Sequence, residues 1–325
     1  MNTYILKNKN NLELEISTLG ATILSLKVPD KNNKLVNVVV GLSSSDDYSA
    51  EHYLQNYLYL GTTVGRYAGR ISKSKLHFGT EKYPIHTIDG VHLHGGKIGF
   101  DKKIWKVENI TNSENSSITL SYLSKHLEEG YPGNLNVTVT YTLTENNELK
   151  IIYTATTDQT THVNLTNHAY FNLNGKQSIL DHELFIDSDF YLDVDDQLIP
   201  SGRKNPVKET CYDFTEKSKI GSTNLQGLDD TFILNKNHRN AEISSETSGI
   251  YMEVFTNQPA IVVYTPRRFD GLTFKENAIY SDFPAICFET QHYPDAPNNP
   301  DFPSTLLQPD EVYTNETTFK FSVLK

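Results

Sequence analysis

The sequence predicts an all-β protein, one large antiparallel β-sandwich. Three observations predict it. Apolar residues recur with a period of two rather than 3.6. Strand-favouring side chains are abundant, with 19 Tyr and 15 Phe in 325 residues, while long amphipathic helical patterns are absent. Turn signals punctuate the chain throughout, as at Pro29-Asp30, Pro132-Gly133, Pro200-Ser201-Gly202 and Asp270-Gly271.

The elements follow in chain order. Leu12, Leu14 and Ile16 alternate with Glu13 and Glu15, which marks an early half-buried strand. Ile118, Leu120 and Tyr122 mark another. Leu135, Val137, Val139, Tyr141 and Leu143 alternate with Asn136, Thr138, Thr140 and Thr142. Glu145-Asn146-Asn147-Glu148 then turns the chain and 149–156 returns, which predicts a hairpin. Phe319, Phe321 and Val323 close the chain on a last strand. The length allows two domains. No linker, repeat or low-complexity tract interrupts the pattern, so a single domain over 1–325 is expected.

Charge and cysteine content narrow the function classes. With 29 basic and 40 acidic residues the net charge is −11. That disfavours nucleic acid and anionic membranes, which need a basic face. No apolar run approaches the roughly 20 residues of a membrane span, and the N-terminus lacks a signal-peptide pattern. Cys211 and Cys287 are too few for a disulfide framework. The expectation is a cytoplasmic protein, monomer or homodimer, whose partner is a neutral small molecule.

Four segments carry candidate chemistry. In the predicted strand 162–173, one face holds His162, Asn164, Thr166, His168, Tyr170 and Asn172. It is polar yet uncharged, which suits a cleft for a neutral polyol as well as an ordinary exposed strand face. In 285–298, Cys287 and Glu289 share a face beside Ile286 and Phe288. Buried there, Glu289 would have the raised pKa of a general base; at a strand end in water it would be unremarkable. The stretch 61–71 sets Arg66 and Arg70 between glycines, where ligand hydroxyls or carboxylates, or structural salt bridges, can take the guanidinium. His92-Leu93-His94 places two imidazoles on one strand face, with no nearby Cys or carboxylate to complete a zinc site. Gly227-Leu228-Asp229-Asp230 sets a carboxylate in a turn, Asn257-Gln258-Pro259 sets an amide at a strand start, and Asp193-Val194-Asp195-Asp196 reads as a solvated acidic turn.

Together these segments resemble the aldose 1-epimerase, or galactose mutarotase, family. The matching stretches are Gly65-Arg66-Tyr67-Ala68-Gly69-Arg70-Ile71, Leu93-His94-Gly95-Gly96, Asn164-Leu165-Thr166-Asn167-His168-Ala169-Tyr170-Phe171-Asn172-Leu173 and Glu289-Thr290-Gln291-His292-Tyr293-Pro294-Asp295-Ala296-Pro297-Asn298. The resemblance covers essentially the whole chain. It implies a β-sandwich of the galactose mutarotase type that interconverts the α and β anomers of galactose, glucose and related aldoses, with no cofactor and no metal. It implies that His168 is the general acid and Glu289 the general base. It places Arg70, His94, Asp229 and Gln258 on the sugar hydroxyls. Many members carry Asn where this chain has Gly69. Such chemistry needs an ionised Glu289 opposite a protonated His168; their attraction favours that state and burial opposes it. A sugar-phosphate epimerase, a glycoside hydrolase and a non-catalytic sugar-binding protein are the rival readings. The hydrolase would need a second carboxylate.

Overall fold

The structure, a computed structural model, describes residues 1–56, 58–112, 114–222, 227–235 and 239–324. Three antiparallel sheets dominate the described residues. The largest has nine strands and contains the predicted hairpin: Leu135–Leu143 pairs with Glu148–Thr157 in the register Val139↔Tyr153. Tyr313–Val323 pairs with Glu148–Thr157 on one side and with Ile250–Thr256 on the other, so the C-terminal strand sits in the middle of the sheet. A four-stranded sheet holds the first strands of the chain, Thr3–Lys7 through Leu35–Asn37. A six-stranded sheet runs in the order Tyr170–Phe171, Ile286–Gln291, Ala260–Tyr264, Asp229–Ile233, Phe190–Val194 and Pro200–Pro206. Among the described residues helix is confined to Glu51–Leu54 and short 3₁₀ turns.

One core joins the sheets. Val137, Val139, Leu149, Ile151, Phe319 and Phe321 from the nine-stranded sheet meet Phe171, Phe232, Ile261, Val263 and Phe288 from the six-stranded sheet, and Leu14, Ile16 and Ile23 from the four-stranded sheet. The Phe171 ring lies 4.8 Å from that of Phe319, centroid to centroid. Burying each such side chain stabilises the fold by about 1.5–3 kcal/mol before entropy is counted. The all-β sandwich expected from the period-two pattern is therefore the observed architecture.

Period two also positions the site. In the six-stranded sheet, Ile286 and Phe288 turn toward the core while Cys287, Glu289 and Gln291 turn the other way. Ile261 and Val263 do the first, Val262 and Tyr264 the second. The outer face of this sheet becomes the floor of a cleft.

The segment 162–173 departs from the expected continuous strand. It breaks into three two-residue pairings at Thr161–His162, Thr166–Asn167 and Tyr170–Phe171. Its amides brace loops instead of continuing a ladder. The Asn164 amide donates to the carbonyls of Ala68 and His292, that of Asn167 to Gly61 and that of Asn172 to Pro284. Asn164 and Asn172 are fully buried structural residues, so the polar face is not a continuous sugar-binding surface.

No described helix is long and apolar enough to cross a membrane.

Candidate active site

Strand register assembles the cleft floor in two rows. Asp229, Tyr264, Cys287 and Tyr170 lie side by side across four neighbouring strands. Thr231, Val262 and Glu289 form the adjoining row. Gln291 follows Glu289 two residues on, the same face of the same strand. The walls are Tyr59, Gly69, Arg70, Leu93 and His94 from outside the sheet, with Val194, Leu198 and Pro200 at the turn that joins its last two strands.

His168 enters above Glu289. Its backbone is fixed on both sides, since its N–H donates to the Thr62 carbonyl and its carbonyl accepts from the Gly61 N–H, each at 2.9 Å. Its Nε2 lies 3.4 Å from Glu289 Oε1. The two side chains are only about 5% and 4% exposed. Neither His168 Nδ1 nor Glu289 Oε2 has a hydrogen-bond partner. Buried polar atoms are rarely left so, and both belong to groups that line the cleft.

Burial decides the charge state of this pair. Desolvation, reinforced by the nearby Asp229 charge and opposed by Arg70, raises the Glu289 carboxyl to about 8. Desolvation pushes His168 down to about 4. Burial thus favours a protonated Glu289 beside a neutral His168. Of the two opposing effects weighed from the sequence, desolvation wins. The pair still carries one proton, the same number as an imidazolium–carboxylate pair, and the two forms differ only in where it sits.

Arg70 and Asp229 meet at the cleft wall, with Nη2 3.4 Å from Oδ2. Burial raises the Asp229 carboxyl, and Arg70 opposes that rise. The neighbouring Asp230 accepts the Asp229 N–H and is pushed up to about 6 by burial; it is not among the cleft-lining residues. The two motif arginines thus have different fates. Arg66 is buried and donates to the carbonyls of Pro132, Gly133 and Ser124, which makes it a structural clamp, whereas Arg70 reaches the cleft.

His92 and His94 also part company. His92 is buried, with Nδ1 2.7 Å from the His86 carbonyl and Nε2 2.6 Å from the Tyr131 hydroxyl. His94 has φ +48°, which swings it into the cleft. The turn that does this needs Gly95, because a Cβ there would run into the Gly65 carbonyl. The Gly69 N–H donates to His94 Nδ1 at 3.2 Å. That bond makes Nδ1 the acceptor of a neutral ring, and burial holds the ring neutral. Nε2 must then carry the proton. Gly69 itself has φ +80°, a conformation glycine adopts without strain.

Each of His94, His168 and Glu289 offers a donor atom within 4.8 Å of the others. The set does not fit a divalent cation. His94 Nε2 keeps its proton as long as Gly69 holds Nδ1, which leaves two ligands where zinc needs three or four.

Gln258, which the resemblance places on the sugar, is buried with its Oε1 unpartnered. Its amide donates to Asn257 Oδ1 and the Thr314 carbonyl, and it is not among the residues lining the cleft. The glutamine among the cleft-lining residues is Gln291, whose Oε1 is likewise buried without a partner. The alternation that put Glu289 on the cleft face also predicts Gln291 there. Tyr59, Tyr264 and the 194–200 hairpin had no comparable sequence signal.

A sequence model of the family aldose 1-epimerase matches residues 2–320. The chain belongs to the aldose 1-epimerase family. It is 42% identical to the galactose mutarotase of Mus musculus over 97% of this chain and 92% of that one. It is 37% identical to the aldose 1-epimerase of Haemophilus influenzae, again over 97% of this chain and 94% of the relative. Among solved structures, an aldose epimerase homologue from C. elegans superposes with a TM-score of 0.92 at 30% identity, covering 100% of this chain and 99% of the other. A galactose 1-epimerase from Lactobacillus acidophilus superposes at 0.86 and 29% identity, with both chains fully covered. The fold expected from the resemblance is the fold of these aldose epimerases.

Proposed function

We propose that this protein interconverts the α and β anomers of free aldoses, galactose and glucose first, with His168 and Glu289 exchanging a single proton through the substrate. The observation that carries this reading is the buried 3.4 Å contact between the two groups in a family of anomer-exchanging enzymes.

The reaction needs a proton removed from the C1 hydroxyl and another delivered to the ring oxygen. Reaction starts from the minor tautomer of the singly protonated pair, in which Glu289 is the carboxylate and His168 the imidazolium. Glu289 takes the hydroxyl proton, His168 protonates the ring oxygen, and the C1–O5 bond breaks to leave an aldehyde. The pair is now neutral imidazole and carboxylic acid, the form that burial favours. Rotation about C1–C2 presents the other carbonyl face. Closure reverses both transfers, Glu289 returning its proton to the former carbonyl oxygen while His168 takes that of the O5 hydroxyl. No net charge enters or leaves the buried site in either direction, and each transfer contributes about 10²–10⁴-fold.

Arg70, Asp229, His94 and Gln291 hold the hydroxyls in this reading. His94 acts as an N–H donor through Nε2, and no metal or cofactor takes part. The reading also assigns one domain to residues 1–325, acting as a monomer or homodimer. Two unbridged cysteines, Cys211 and Cys287, accord with a reducing cytoplasm.

The test is polarimetry on freshly dissolved α-D-galactose and α-D-glucose at neutral pH with EDTA present. Acceleration to the unchanged final rotation supports the reading. No acceleration with either sugar overturns it and directs the assay to phosphorylated aldoses.

A further inference from the structure

Anomer exchange by this pair requires the buried His168 imidazole to become a cation in each cycle. The groups facing His168 offer few candidates. From the 286–291 strand comes Glu289, from 260–264 Tyr264, from the turn after His92–Leu93 His94, and from the segment after the first helix Tyr59. His94 is held neutral, and Arg70 and Lys102, which act on His94, would repel a second cation nearby. Two tyrosines face the imidazole nearly parallel: Tyr170 with centroids 5.0 Å apart and planes inclined by 23°, and Tyr59 at 5.9 Å and 27°. The Tyr59 ring already carries a cation, since the Lys102 ammonium lies 5.5 Å from its centroid. Besides His168, the Tyr170 ring meets the rings of Tyr264 and Phe269, and among the described residues no Lys or Arg lies over it.

Tyr170 is itself tightly fixed. It is 1% exposed and lies beside Cys287 in the sheet. Its hydroxyl donates to the Leu58 carbonyl at 2.6 Å, and its carbonyl accepts the Val40 N–H. The Leu58 bond holds the segment that carries Tyr59, whose φ of +52° turns it over the cleft. The tyrosine against His168 therefore also orders the second ring.

We propose that Tyr170 is a positioning residue for the anomer exchange, its ring face supporting the imidazolium form of His168 while its hydroxyl anchors the Tyr59 segment. A tyrosine face attracts a cation through the ring quadrupole, and the attraction strengthens when water is excluded. Neutral imidazole gains much less from the same stack. The ring thereby shifts the shared proton toward His168 without adding a charge to the site. This rests on His168 acting as the acid.

The experiment separates electronics from shape. Tyr170→Phe removes the tether and keeps the ring; Tyr170→4-fluorophenylalanine and Tyr170→pentafluorophenylalanine keep the shape and progressively weaken the quadrupole. Relative to Tyr170→Phe, the pentafluoro variant should lower kcat about tenfold with KM within about twofold. The acid limb of the pH–kcat profile should fall by about one pH unit in parallel, while the alkaline limb stays in place. Weaker attraction destabilises the doubly protonated pair but leaves the proton on Glu289 untouched. Equal kcat across the series overturns the proposal, as does a loss carried in KM. An inactive Tyr170→Phe overturns the role of the ring and leaves only the tether. His168→Asn, run alongside, separates the two levels. If it is inactive and the fluorine series is flat, only the role of Tyr170 falls; if it is active, the acid assignment falls first.

Discussion

Glu289→Gln should move activity and stability in opposite directions. Glutamine matches the carboxyl in volume, and its uncharged amide can face His168 Nε2 across the 3.4 Å contact. It cannot take a proton from the sugar. Loss of that transfer removes about 10²–10⁴ in kcat, equivalent to about 3–5 kcal/mol of barrier, with KM little changed. Stability responds through linkage. The folded-state carboxyl titrates near 8 against 4.5 in the ordinary range, so the protonated form is the one the fold prefers. A group with a raised folded pKa contributes its stability in full below 4.5 and loses it as pH climbs to about 8. That loss is at most about 5 kcal/mol. The variant has nothing to deprotonate there. It should match the wild type near pH 4.5 and exceed it increasingly up to pH 8. Polarimetry on α-D-galactose gives the first quantity, and urea unfolding at pH 5 and 8.5 the second. Near-normal turnover would remove Glu289 as the base, and parallel stability profiles for the two proteins would show that burial does not raise its pKa.

Further outcomes follow from the same geometry. His168→Asn should lose at least about 10²-fold in kcat and keep sugar affinity measured by calorimetry. Gln291→Ala should raise KM several-fold while Gln258→Ala leaves it near wild type, because only the first lines the cleft; the reverse order in steady-state kinetics would restore the placement implied by the resemblance. Gly95→Ala should destabilise the protein by more than about 2 kcal/mol in denaturant unfolding, since a Cβ there collides with the Gly65 carbonyl at a φ of +84°.

Much of the fold was legible because its determinants are local. The alternation at 135–143 and the turn at 145–148 fix a hairpin whose register the structure reproduces. Glu289 was legible for the same reason, lying one pleat from Cys287 and opposite Phe288. What escaped depends on contacts between distant segments. Whether Asn164 meets a sugar or a backbone is decided by Ala68 and His292, far away in sequence. His92 and His94 look equivalent until φ +48° at His94 separates them. Tyr59 sits in a segment with no periodic signal and is brought over His168 by the Tyr170–Leu58 bond. The acidic turn at 193–196 leads into a hairpin that walls the cleft through Val194, Leu198 and Pro200. The protonation state of the acid–base pair was open in the sequence because attraction and desolvation oppose each other, and only the depth of burial ranks them.

The claim most exposed to test is that His168 and Glu289 share one proton. The pH dependence of kcat/KM for α-D-galactose, corrected for the uncatalysed rate at each pH, reads it directly. A one-proton pair gives a bell with apparent limbs near 4 and 8 that belong to the pair as a whole. Below the first limb both groups are protonated and no base remains; above the second both are deprotonated and no acid remains. A profile that rises through a single limb, or one whose limbs persist unchanged in Glu289→Gln, would contradict the shared proton.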